Sequence, residues 1–204
     1  MKIHQPTELI EDPNVALRML MEGNERYLKG RLTKKDDYSE EREVLDKEQD
    51  PFAVILTCSD SRVAPEIFFD QKLGDIFVIR NAGNVADTEG LGSIEYAIEH
   101  LKTKLVVVCG HSHCGAVTAA CSGGDFSPNI KRIVDLIKPA VDKGGDIDKV
   151  VHTNVEMMVE KIRSDEIIKR LGVKVVGAYY DIHTGEVKWI VGVKITTHPE
   201  HPEH

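Results

Sequence analysis

Nowhere in this 204-residue chain do apolar residues run to the roughly 18 in succession that a membrane-spanning helix requires. No membrane span is expected. The first residues, "MKIHQPTELIEDPN", hold no apolar block of the kind a secretory leader carries, and the expected location is the cytoplasm. Basic charge is short as well: 26 Lys and Arg stand against 34 Asp and Glu, a formal net charge of -8. Without a basic excess the chain has no electrostatic footprint for nucleic acid or an anionic membrane. A small or neutral partner is favoured instead.

Cysteine is scarce. Four residues without a secretory context make a disulfide framework a poor explanation, and leave catalysis, metal binding or burial as their uses. Linker-like segments and internal repeats are missing too, so one domain is expected, large enough for a well-buried core. The glycine-rich "RNAGNVADTEGLGS" (80 to 93) lacks the G-x-G-x-x-G order and an acidic ribose partner, which argues against a dinucleotide site.

What the chain does have is alternation. The segments "FAVILT" (52 to 57), "DIFVIR" (75 to 80), "KLVVVC" (104 to 109) and "VKVVGAYY" (173 to 180) are short β-branched runs that read as buried parallel strands. Helical patterns fall at 90 to 101, 115 to 121, 129 to 141 and 148 to 163, the last capped by Asp146 or Asp148. In "DIHTGEVKWIVG" (181 to 192), Thr184-Gly185 turns the chain into a further apolar run, a hairpin with an antiparallel edge strand. The expected fold is α/β: a four-stranded, mostly parallel sheet plus an antiparallel edge strand, flanked by helices.

Ahead of it, "PNVALRMLMEGNERYLK" (13 to 29) has apolar residues at helical spacing and Asp12 as a cap. The stretch that follows, up to residue 50, is charged and nearly core-free, so residues 1–50 read as a helical arm that must pack on its own domain or on a second subunit. Residues 51–195 form the expected α/β domain, and the His- and Pro-rich end, 196–204, reads as a disordered tail.

Polar clusters follow two of the strands. "TCSDSRVAPE" (57 to 66) sets Cys58, Asp60 and Arg62 at every second position, and "GHSHCGA" (110 to 116) sets His111 and Cys114 three apart. Sites in open α/β sheets gather at the carboxyl ends of the strands. Cys58, His111 and Cys114 together make a Cys₂His donor set suited to zinc, with the fourth position free for water or taken by Asp60. His111 is preferred over His113 because side chains at i and i+3 converge on a helical turn while those of neighbours diverge. Cys109, ending a strand, and Cys121, on a helix, read as buried small hydrophobes. Beside a metal, Arg62 can hold Asp60 off the ion so that its carboxylate orients a nucleophile.

The strings "CSDSR", "RNAGN" (80 to 84) and "GHSHCGA", in that order, resemble those of the β-class carbonic anhydrases, and the likeness extends over roughly residues 14 to 192. That resemblance implies zinc (one Zn2+ per subunit) on Cys58, His111 and Cys114, with Asp60 and Arg62 as catalytic dyad. It implies reversible hydration of CO2 to bicarbonate and a proton by zinc-bound hydroxide, in a homodimer or larger even homo-oligomer joined through the N-terminal arm. Gln49, nine residues before Cys58, matches a substrate-binding Gln of the open-site subtype. Ile55 stands where the other subtype has a Trp lining an allosteric bicarbonate pocket, and the only Trp, Trp189, is remote; an open site without that pocket is expected. Val63, Phe68, Val85 and Leu91 are candidates for the apolar side of the pocket, and His113, Tyr96 and His183 for proton transfer. Two alternatives stand beside this reading: hydrolysis of a CO2 analogue such as carbonyl sulfide or carbon disulfide, and a structural zinc closed by Asp60 in a binding protein.

Overall fold

A computed structural model describes residues 10–193 except Asp36; the expected tail at 196–204 lies outside them. Five strands form one sheet: β1 (Ala53–Cys58), β2 (Ile76–Asn81), β3 (Leu105–His111), β4 (Lys174–Tyr180) and β5 (Val187–Val191). Their order is β2-β1-β3-β4-β5, with the first four parallel and β5 antiparallel to β4. Every residue of β1 and β3 is buried, which is why both read as continuous apolar runs: helices cover both faces.

Period-two alternation divides the strands between two cores. Val54, Leu56, Cys58, Val106 and Val108 face one core, built with α4 (Thr88–His100), α5 (Gly115–Ser122), α6 (Pro128–Val141) and α7 (Ile147–Ser164). Ala53, Ile55, Leu105, Val107 and Cys109 face the other, built with α1 (Pro13–Leu28) and the short α3 (Pro65–Phe68). The helices expected from sequence are all present, each within about two residues of its expected ends. Asp146 is the cap of α7, its side chain accepting from the Lys149 N–H at 2.8 Å.

Three short helices escaped the sequence pattern: α2 (Ser39–Leu45), α3 and α8 (Glu166–Arg170). At four to seven residues they are too brief to show an apolar period.

Helix α1 packs on its own chain. Ala16, Leu17, Leu20, Gly23 and Asn24 form its buried stripe. At Gly23 the approach is so close that a Cβ would stand 1.7 Å from the Phe69 carbonyl oxygen. Asn24 Nδ2 donates to the carbonyls of Phe68 and Gly185, both at 2.9 Å, and its Oδ1 accepts from Val187 N–H at 3.0 Å. One buried amide thus ties α1 to the end of α3 and to the β4–β5 hairpin.

Candidate metal centre

Parallel pairing of β1 with β3 places Thr57 opposite Cys109, so Cys58 and the residues after Cys109 emerge side by side at the carboxyl edge. Cys58 ends β1, His111 ends β3, and Cys114 is the N-cap residue of α5. All three are buried, and their ligand atoms lie within 4.8 Å of one another. His111 and Cys114 meet differently from the expected helical turn. His111 is the last strand residue, and the chain reverses through His113, at φ 55°, to bring Cys114 back. His113 is exposed, and His111 is the histidine that joins the cluster. Cys109 faces the opposite core, where burial pushes its thiol up to about 12.

The three donors fit a cation. His111 Nδ1 lies 2.9 Å from the Ser112 carbonyl, which fixes Nδ1 as the N–H nitrogen and leaves Nε2 with its lone pair free. Nε2 is buried with no partner among the described residues, an arrangement that is costly without a ligand. Hydrogen bonding from the Cys114 thiol, with help from His111 and the Gly83 N–H, lowers the Cys58 thiol against the opposing effect of burial. Cys114 is pushed up, first by that same contact with Cys58 and then by burial. The pair holds one thiolate easily and opposes a second, and a divalent cation between the sulfurs would remove that opposition.

Asp60 and Arg62 form a fork on the rim. Arg62 Nε donates to Asp60 Oδ1 at 2.9 Å and Nη2 to Oδ2 at 2.8 Å, while the Arg62 backbone N–H also reaches Oδ1 at 3.0 Å. These bonds, the Arg62 side chain foremost, hold the Asp60 carboxyl well below the usual carboxylate range. Asp60 is therefore an anion in a fixed orientation, engaged with Arg62.

Sequence reasoning missed Arg80 and Gly83. Arg80, near the end of β2, donates from Nε to the Cys58 carbonyl at 3.0 Å and from Nη2 to the Asp60 carbonyl at 2.7 Å. It clamps the backbone on both sides of Ser59. Gly83 N–H donates to Cys58 Sγ at 3.3 Å. Both belong to "RNAGN"; the signal was a polar, glycine-containing string directly after a strand. Gln49 is exposed and precedes the amino end of β1, while Cys58 ends it. A six-residue strand spans about 17 Å, so Gln49 is not brought to the cluster of its own chain. Val63, Phe68 and Val85 are at most 1% exposed core residues, and Leu91 packs against the Cys58 side of the core. Tyr96 lies on the outer face of α4 against His100, and His183 is exposed in the hairpin turn.

A parallel-stranded α/β sheet whose carboxyl edge gathers two cysteines and a histidine around one point, with an Asp–Arg fork beside them, defines an α/β protein with a candidate Cys₂His metal centre. Residues 53–187 match the family described as carbonic anhydrase. A carbonic anhydrase of Mycolicibacterium smegmatis is 39% identical over 191 residues, covering 87% of this chain and 93% of the relative. Carbonic anhydrase 2 of Mycobacterium tuberculosis is 39% identical over 190 residues, covering 85% and 91%. Among solved structures, a tetrameric β-carbonic anhydrase of Sordaria macrospora superposes with a TM-score of 0.69 at 25% identity, covering 87% of this chain and 94% of that one. The Coccomyxa β-carbonic anhydrase in complex with acetazolamide gives 0.68 at 28% identity, covering 85% and 86%. This chain belongs to the carbonic anhydrase family, and to its β class. No helix among the described residues is long and apolar enough to cross a membrane.

Proposed function

We propose that this chain is a zinc enzyme that interconverts CO2 with bicarbonate and a proton, using Cys58, His111 and Cys114 as ligands and Asp60 with Arg62 as catalytic dyad. The observation that carries the reading is the buried convergence of those three donors within 4.8 Å, with His111 Nε2 left partnerless. Zinc bound there would supply a Lewis acid that lowers the pKa of water at its open position from 15.7 towards about 7.

The chain's own residues do the rest. Asp60, kept ionised and turned towards Arg62, can accept a hydrogen bond from the attacking water and aim its lone pair at the substrate carbon. The same fork restrains the carboxylate from becoming a fourth ligand, which supports an open site, as does Ile55, fully buried in β1, in place of a pocket-lining Trp. Arg80 fixes the backbone from which Asp60 projects. Gln49, too far to serve its own chain, would donate its amide N–H to a substrate oxygen in a neighbouring subunit. With α1 seated on its own chain, the rest of the arm of residues 1–50 is read as reaching that subunit in a homodimer or larger even homo-oligomer, with residues 51–195 as the catalytic domain. Two thiolate ligands suit a reducing compartment, and a cytoplasmic location is part of the reading.

The test pairs zinc analysis with stopped-flow CO2 hydration at pH 8.5. One zinc per subunit and fast hydration are expected, and Asp60→Asn should keep the zinc while kcat/KM falls on the order of 100-fold. Stoichiometric zinc without hydration would overturn the assignment. Carbonyl sulfide in the same instrument separates the CO2-analogue hydrolase.

A further inference from the structure

Asn154 lies in the middle of α7, 1% exposed, among Val150, Val151, Val155, Met158 and Val159. A primary amide in such surroundings carries a desolvation penalty that only hydrogen bonds offset. Asn154 makes one: Nδ2 donates to the Gly83 carbonyl at 3.0 Å, while Oδ1 has no partner among the described residues. An apolar side chain of similar volume would fill the space but would leave the buried Gly83 carbonyl without a donor, so what the amide contributes here is that one bond.

What the single bond holds is informative. Gly83 sits at φ 77°, open to glycine and poorly tolerated by other residues, and a Cβ there would stand 2.7 Å from Ile137 Cδ1 and 3.2 Å from Ala116 Cβ. Its N–H donates to Cys58 Sγ and its carbonyl is gripped by Asn154. Glycine has the widest rotational freedom of any residue, and here both of its backbone polar groups are engaged, one by a proposed ligand and one by the amide. We infer that Asn154 is a positioning residue for the metal centre: through the Gly83 peptide it keeps an N–H aimed at the Cys58 sulfur and so tunes that ligand. The inference rests on the metal reading of Cys58, His111 and Cys114.

The experiment uses the full-length protein loaded with cobalt(II), whose thiolate-to-metal charge-transfer band reports the sulfur ligands directly. Wild type, Asn154→Leu and Asn154→Ser are compared by that band, by cobalt dissociation in chelator competition, and by thermal midpoint. Leu fills the space without a donor, and Ser, should Leu disturb folding, is small and too short to reach the carbonyl. A displaced band and a dissociation constant raised on the order of tenfold are expected in either variant. Variants whose midpoint falls while band and dissociation constant stay at wild-type values, the constant within about twofold, would show a merely structural residue and overturn the inference. A wild-type protein with no thiolate band on stoichiometric cobalt would remove the metal reading itself, and the inference with it.

Discussion

Arg80 shows how one side chain can govern a site it does not touch chemically. Its guanidinium bonds the carbonyls of Cys58 and Asp60, so a candidate ligand and the candidate orienting carboxylate share one rigid backbone segment. Charged hydrogen bonds of this kind are worth about 1.5–3 kcal/mol each, while an Asp60 displaced by a fraction of an ångström no longer aims its acceptor. Arg80→Met keeps the apolar stem and removes the clamp; kcat/KM for CO2 hydration should fall about tenfold or more while zinc content holds. Unchanged kinetics would show that the loop holds its own shape. At this scale the sequence was most legible for Cys58, His111, Cys114, Asp60 and Arg62, because spacing after a strand decides where such groups emerge. Arg80, Gly83 and Asn154 were hidden because their partners are backbone atoms or a sulfur on other elements, and no spacing in the sequence records those contacts.

Helix α1 is held by more than its apolar stripe. Asp70, at the left-handed φ of 48° just past α3, has a fully buried carboxylate that receives Arg26 Nε at 2.6 Å, Lys35 Nζ at 2.8 Å and Thr33 Oγ1 at 2.8 Å. Burial alone would raise its pKa, but the bonds from Lys35, Arg26 and Thr33 prevail and bring it down to about 2. A carboxylate lower in the folded than in the unfolded chain stabilises the fold at pH above its ordinary value of 3.8, and that contribution is lost as pH falls through about 2. Asp70→Asn should therefore cost on the order of 3 kcal/mol at pH 7. The wild-type advantage in urea midpoint should shrink as pH falls from 4 towards 2. An equal difference at both ends would mean that the carboxylate charge is not what holds the helix. The helix itself was legible from its spacing, and so was the lack of a core behind residues 29–50. Its seat was not, because Gly23 against Phe69 is a contact between a missing side chain and a backbone.

At the scale of the whole molecule, α2 has no buried residue, yet its segment is tied down through Lys72–Glu41 at 3.1 Å. Along the same region Leu28, Leu32, Val44, Ile67 and Leu73 stand 46–55% exposed, more apolar surface than a lone subunit has reason to show. Sedimentation equilibrium should give an even multiple of the 22.7 kDa chain, and Leu32→Glu with Val44→Glu should shift it towards the monomer. A monomeric wild type at tens of micromolar, a range in which standard-size interfaces are occupied, would contradict the arm's proposed role. The five-strand sheet was legible because buried parallel strands write themselves as apolar runs, whereas α2, α3 and α8 were too short to leave a period. The pairing of β1 with β3 also sets an order of events during synthesis. Cys58 leaves the ribosome well before His111 and Cys114, and the crossover between their strands contains all of β2 and α4. Contacts this distant in sequence form late, so the three donors come together only once the central strands have met. Until then Cys58 has neither of its partners, and the cluster is completed by closure of the sheet rather than by any one loop.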